Sequence, residues 1–180
     1  MNGLSLWTGW LTGLVLATSA HAQVLTVEQD WQEGEVPAPP AFVLANLVPF
    51  DVSVNSSMRF GIEPTSVTVG ADGVIRYVMV ARSPSGALNV AYEGLRCRSA
   101  EYKTYARWSP SDDATPQQVK DSTSGAWRTM PRPEWRALSG AAARPAIALA
   151  RQGFCDGPTP NGTPAQMLRA VRSGNTFRGG

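Results

Sequence analysis

The sequence is poorest in histidine: His21 is its one imidazole. Lysine is nearly absent as well, with Lys103 and Lys120 standing against fourteen arginines. Cysteine is limited to Cys97 and Cys155, and Asp, Glu, Lys and Arg are missing from the first 22 residues. Each shortage excludes something. If His21 belongs to a segment that is removed, the remaining chain can hold no Ser-His-Asp or Cys-His nucleophilic site and no histidine-ligated metal. Two isolated cysteines give neither a CxxC redox pair nor a zinc cluster. Asp112-Asp113 are too few oxygen ligands for a calcium loop, and no glycine-rich phosphate loop is present. No metal and no cofactor are therefore expected.

The uncharged start has its own pattern. Leu11 to Ala17 is mostly apolar and is followed by Ala20-His21-Ala22. A short apolar run ending in small residues three and one positions before a cut is what signal peptidase requires. The run is too short, and too broken by Gly9, Thr12 and Gly13, for a comfortable permanent span. Residues 1–22 are expected to be a signal peptide cleaved after Ala22, which delivers residues 23–180 to the periplasm. No other apolar stretch approaches membrane length, so no integral membrane segment is expected after cleavage. In an oxidising compartment Cys97 and Cys155 should pair. Closing the 58-residue separation between them would restrict the unfolded chain by about 4 kcal/mol in the entropic account.

Charge is unevenly spread. Residues 23–50 carry Glu28, Asp30, Glu33 and Glu35 and no base, whereas residues 128–180 carry eight arginines against Glu134 and Asp156. Arginine and alanine enrichment also follows from genome base bias, so a nucleic-acid partner is not inferred.

Residues 23–49 read as an extended acidic arm, since Pro37, Pro39 and Pro40 exclude helix and central strand. Trp31 and Phe42 are its anchors if it packs on the domain. Strand signals begin at Phe50. Phe50 to Phe60 alternates in part, with Val52 and Val54 on one side. Thr65 to Val69 leads into the turn Gly70-Ala71-Asp72-Gly73. Val74 to Arg82 is the most strand-like run and, interrupted only by Arg76, should be buried on both faces. Ser83-Pro84-Ser85-Gly86 fits a type I turn, and Ala87 to Glu93 returns antiparallel. In Glu101 to Trp108 the alternation puts Glu101, Lys103 and Arg107 on one face and Tyr102, Ala106 and Trp108 on the other. Residues 109–125 read as a surface loop. Pro145 opens a helix with Ile147, Ala150 and Phe154 on one stripe. Thr163, Pro164 and Gln166 form a capping box for a second helix through Met167, Leu168 and Val171, ended by Gly174. The last six residues read as frayed. Strands first and helices last make an α+β fold: an antiparallel meander of about four to six strands with two C-terminal helices and one disulfide pinning helix to sheet.

Several segments carry a family resemblance. They are DWQEGE (Asp30 to Glu35), Arg59-Phe60, VGADGVIRYVMVARSPSGALNVAYEGLRC (Val69 to Cys97), EYKTYARW (Glu101 to Trp108), Trp127 with Trp135, and Phe154-Cys155. Together they resemble the CNP-one-like family of short exported proteobacterial proteins, whose role is uncharacterised. The likeness covers most of residues 30–155, giving a domain over 50–156 and a helix with a flexible tail over 157–180. It implies location and fold, and supplies no reaction, cofactor or catalytic residue.

Two groups of residues are candidates for function. Tyr92, Glu93, Arg96, Glu101 and Lys103 lie within one hairpin's reach. They can form a polar binding site, an acid–base pair through Glu93 and Glu101, or a ladder of cross-strand ion pairs, and the ladder is the commoner outcome. A glycosidase needs two carboxylates at set separations. Arg128, Arg132 and Arg136 flank Trp127 and Trp135, so cation–π stacking and a basic docking face are expected there. Trp108, Trp127 and Trp135 can be a platform for sugars or peptides, or core. The expected function is a non-enzymatic binding or accessory protein of the cell envelope, with an envelope protein or anionic envelope polymer as partner. The alternative is a small glycan or peptide hydrolase using Glu93 and Glu101. If the acidic arm lies over the Arg128 to Arg136 face, the charges there are compensated internally. If it does not, that face is open to an anionic partner.

Overall fold

The computed structural model describes residues 30–121 and 124–176. The signal peptide expected over residues 1–22 and the end of the frayed tail lie outside them. The chain divides into two compact units after Trp31. The sheet and helices belong to the second, which begins at Gln32.

Among the described residues, eight strands form one antiparallel sheet: β1 (Val48–Phe50), β2 (Arg59–Ile62), β3 (Thr68–Val69), β4 (Ile75–Arg82), β5 (Leu88–Arg96), β6 (Glu101–Pro110), β7 (Gly125–Thr129) and β8 (Arg136–Ala137). The order across the sheet is β1-β2-β4-β5-β6-β7, with β3 also on β4 and β8 also on β6. A separate ribbon pairs β9 (Cys155–Asp156) with β10 (Thr159–Pro160). The helices are α1 (Pro116–Lys120), α2 (Arg144–Leu149) and α3 (Pro164–Thr176). The fold is mostly β with some helices, and has more strands than the sequence pattern predicts.

The local signals explain the elements that form. Gly73 donates its N–H to Gly70 at 2.9 Å and turns at φ +75°. Gly86 likewise donates to Ser83 at 2.9 Å and closes the β4–β5 hairpin. Thr163 and Gln166 cap α3 reciprocally, the Thr163 N–H donating to Gln166 Oε1 at 2.7 Å. The same signature starts α1, where the Thr115 N–H donates to Gln118 Oε1 at 2.9 Å. A loop reading of residues 109–125 overlooks that second Thr-Pro-x-Gln box. Asp51 to Met58 is not a strand, and Val54 is 85% exposed rather than paired with Val52. Helix α3 runs past Gly174 to Thr176, since one glycine costs a helix only about 1 kcal/mol. In α2 it is Ala146 and Leu149 that are buried, followed by Phe154 after a wide turn, while Ile147 and Ala150 are only partly covered. Gly153, at φ +139°, ends that turn, and a side chain there would strike Ala170 of α3.

Both faces of the sheet are covered, which explains why β4 is buried from Ile75 to Ala81. On the helical face, Ile75, Tyr77, Met79 and Leu95 pack with Leu149, Phe154, Met167 and Val171. The Tyr77 and Phe154 rings meet edge to face at 5.3 Å. On the other face lies the segment after Gln32. Phe42, 1% exposed, stands edge-on to Trp108 at 5.1 Å and to Trp127 at 6.2 Å, over Val78, Val80, Val90 and Tyr92. An aromatic side chain of that kind removes roughly 150–250 Å² from water. The arm is thus docked from Gln32 onward, and β1 begins within its expected limit at Val48. Cys97, at the end of β5, is bonded to Cys155 after α2, with Cα atoms 5.6 Å apart.

Candidate functional site

A single irregularity decides which candidate residues meet. Between β5 and β6 the register runs Tyr92 opposite Ala106 and then Glu93 opposite Thr104, leaving Tyr105 as an extra residue. A bulge of this kind reverses the side-chain alternation beyond it. Tyr102 therefore packs on the helical face with Tyr77, whereas Tyr105, Ala106 and Trp108 pack on the arm face with Phe42. Arg107 departs from Glu101 and Lys103 and lines a cleft on the helical face. The strict alternation expected for Glu101 to Trp108 is corrected accordingly.

On the arm face the structure gathers Tyr92, Arg96, Glu101, Lys103 and Trp135. Arg96 donates to Glu101 Oε2 at 3.0 Å, one rung of the expected ladder. Lys103 pairs with Glu33 of the arm at 2.6 Å rather than with Glu93. The Tyr105 hydroxyl donates to the other Glu33 oxygen at 2.5 Å. Arg76, 3% exposed, forms an ion pair with Asp72 at 2.6 Å, and Asp72 also accepts the Gly34 N–H at 2.9 Å. Burial opposes ionisation of Asp72, but the Arg76 guanidinium and the N–H groups of Gly34 and Val74 outweigh it and hold its pKa below the usual aspartate value. The Tyr105 phenol is pushed far up by burial and by its bond to Glu33. The Trp135 ring stacks against Arg96 at 5.5 Å and Lys103 at 5.4 Å. Three acids (Glu33, Asp72, Glu101) meet three bases here and clamp the arm, with the buried Arg76 Nε the one nitrogen of that guanidinium left without a hydrogen-bond partner.

Glu93 lies on the opposite face. Its carboxyl is 5% exposed beneath the helices and accepts hydrogen bonds from the Tyr77 and Thr104 hydroxyls, each at 3.2 Å. Burial raises its pKa, partly offset by those two bonds and by the positive charge of Arg107. Glu93 and Glu101 thus point to opposite sides of the sheet and share no cleft, which is not the arrangement a two-carboxylate hydrolase uses.

The cleft at Glu93 is small, about 150 Å³, and lies between β4, β5, β6 and the start of α2. Its lining includes Glu93, Thr104, Arg107, Asn89, Tyr102 and Arg136. Arg107 donates to Asn89 Oδ1 at 2.7 Å. Arg128 is the register partner of Arg107, so both lie on this face, and Arg136 opposite Tyr102 does too. Arg132 is exposed in the connection between β7 and β8. Among the described residues, none of Arg107, Arg128, Arg132 and Arg136 forms a salt bridge with an acidic side chain. The arm therefore leaves this arginine face uncompensated. Trp108 is core, and Trp127 lies at its margin, partly buried.

Two features escaped the sequence pattern. Arg107 joins the basic face only because of the bulge. A groove of about 660 Å³ beside the disulfide, lined by Cys97, Leu138, Ile147 and Cys155, has no sequence signal. Among the described residues, no group of three or more His, Cys, Asp or Glu is placed to hold a metal, and no helix is long and apolar enough to cross a membrane.

A family model, the CNP1-like family, matches residues 26–172. No curated protein and no solved structure matches the chain.

Proposed function

The chain belongs to the CNP1-like family, and we propose that it is an exported, non-enzymatic binding protein of the cell envelope whose arginine face engages an anionic partner. The observation that carries this reading is the separation of charge between the two sheet faces. On the arm face Glu33, Asp72 and Glu101 each have a base beside them. On the helical face, among the described residues, Arg107, Arg128 and Arg136 form no salt bridge with an acidic side chain, and the charge of Arg107 reaches only into the cleft of buried Glu93. Exposed charge of one sign steers an oppositely charged partner and gives specificity more than raw affinity. The Cys97–Cys155 disulfide supports a periplasmic location, since such bonds persist where the compartment is oxidising. The uncharged, Ala-His-Ala-ended leader supports export, and an envelope protein or acidic envelope polymer supplies the anionic chemistry.

Two measurements test this. N-terminal sequencing of periplasmic material should begin at Gln23, and cytoplasmic protein starting at Met1 would contradict export. The disulfide-bonded protein should be held on immobilised poly-glutamate at low ionic strength and released by about 0.5 M salt, since screening shortens the reach of exposed charge to a few Å. Flow-through at low salt would contradict the anionic partner.

A further inference from the structure

We propose that the cleft at Glu93 binds a carboxylate that carries an N–H donor close by, the chemistry of an amino acid or of the last residue of a peptide. This rests on the reading that the arginine face engages anions, and it names what the deepest part of that face selects. Arg107 and Arg136 line the cleft. A guanidinium is planar and always charged, and recognises a carboxylate through paired donors. Glu93 lines the same cleft, and this second feature argues against a simple anion site. A buried carboxylate beside an anion-binding pair repels a plain anion, and burying it without a base is costly. Glu93 has no ion pair among the described residues. Its two hydrogen bonds use one acceptor position on each oxygen and leave the others available. A ligand that places an N–H at Glu93 and a carboxylate at the arginines turns both features to advantage. The volume limits the rest. At about 150 Å³ the cleft is well below the roughly 300–1,000 Å³ of pockets that enclose whole drug-sized ligands. It accommodates one residue-sized group.

Calorimetric titration of the disulfide-bonded protein tests this with four probes: N-acetylalanine, N-acetylalanine amide, acetate and inorganic phosphate. N-acetylalanine should bind about tenfold or more tighter than acetate, and its amide should not bind, because each lost partner leaves a buried group unpaired. Glu93→Gln keeps the shape and should weaken N-acetylalanine about tenfold while strengthening acetate, which no longer meets a like charge. Arg107→Ala, at an exposed position that folding tolerates, should weaken both. Free alanine and the dipeptide Ala-Ala then separate the two sources: a free amino acid if alanine binds tighter, a peptide end if Ala-Ala does. Acetate or phosphate binding as well as N-acetylalanine, or an N-acetylalanine affinity unmoved by Glu93→Gln and Arg107→Ala, would overturn the proposal. If poly-glutamate is retained while none of the small probes binds, the cleft proposal fails and the anionic partner stands. If poly-glutamate is not retained either, the broader reading fails with it.

Discussion

Replacing Glu33 by Gln should loosen the arm and destabilise the domain by about 2 kcal/mol. The side chain is 17% exposed and accepts two bonds from strong donors, Lys103 Nζ at 2.6 Å and the Tyr105 hydroxyl at 2.5 Å. Arg76 lies further off, at 3.9 Å, and keeps Asp72 as its main partner. A hydrogen bond to a charged group is worth about 1.5–3 kcal/mol, and glutamine retains one acceptor oxygen, so roughly one such bond is lost. The remaining cost is the ammonium of Lys103, 12% exposed, left facing an amide. Glu35, exposed two residues on, is the control, and Glu35→Gln should stay within about 0.5 kcal/mol of wild type. Urea unfolding followed by circular dichroism gives the global difference. Tryptophan emission reports the arm, because Phe42 covers Trp108 and Trp127. A Glu33/Lys103 double-mutant cycle should return a coupling of about 1 kcal/mol or more. Moderate salt should weaken it only slightly, since burial limits screening. Equal stability of Glu33→Gln and Glu35→Gln would refute the clamp.

Removing the disulfide through Cys97→Ala with Cys155→Ala should lower stability by about 4 kcal/mol in thermal unfolding, and two alkylatable thiols in freshly isolated periplasmic protein would contradict the bond. Gly94→Ala should destabilise strongly, because the new methyl meets the Tyr105 ring at 2.9 Å and displaces the hydroxyl that Glu33 accepts from; wild-type stability in a melting curve would refute that contact. Glu93 sets one pH dependence. Its pKa is raised on folding, so the folded state keeps a proton that the unfolded chain releases, and stability falls as pH rises from the ordinary glutamate value to the raised one. Glu93→Gln should flatten that slope, and an unchanged slope in pH-dependent denaturation would count against the buried carboxyl. Asp72 has the opposite sign: its contribution is present above the ordinary aspartate value and is lost as pH falls through its lowered pKa.

The legible parts were local. The β4 run, the Gly70–Gly73 and Ser83–Gly86 turns, the Thr163 capping box and the cysteine pair each carry their signal within a few residues or in the composition. The β4 run even disclosed that both faces are covered, and the arm and the helices supply the two covers. What could not be read depends on distance or on one residue of register. Glu33 meets Lys103 70 residues away, and Glu63 fastens the arm by accepting the Val43 N–H at 2.9 Å, pairings that no spacing encodes. The bulge at Tyr105 is the sharper case. One extra residue moves Arg107 to the helical face, so a strict period of two missed an arginine of the basic face. Glu93 and Glu101 part for a different reason: Glu101 is the register partner of Arg96, an odd number of residues from Glu93, so regular pairing alone puts the two carboxylates on opposite faces.

The functional reading turns on whether the face bearing Arg128, Arg132 and Arg136 docks an anionic partner while the arm clamp on the other face is structural. The decisive experiment is the salt dependence of poly-glutamate binding by fluorescence anisotropy, for wild type and for the Arg128→Ala, Arg132→Ala, Arg136→Ala triple variant. These side chains are exposed, so the variant should unfold at the wild-type midpoint. Weaker binding with a flatter response to salt is expected of the triple variant. An affinity and salt response equal to wild type in the folded triple variant would contradict the docking face.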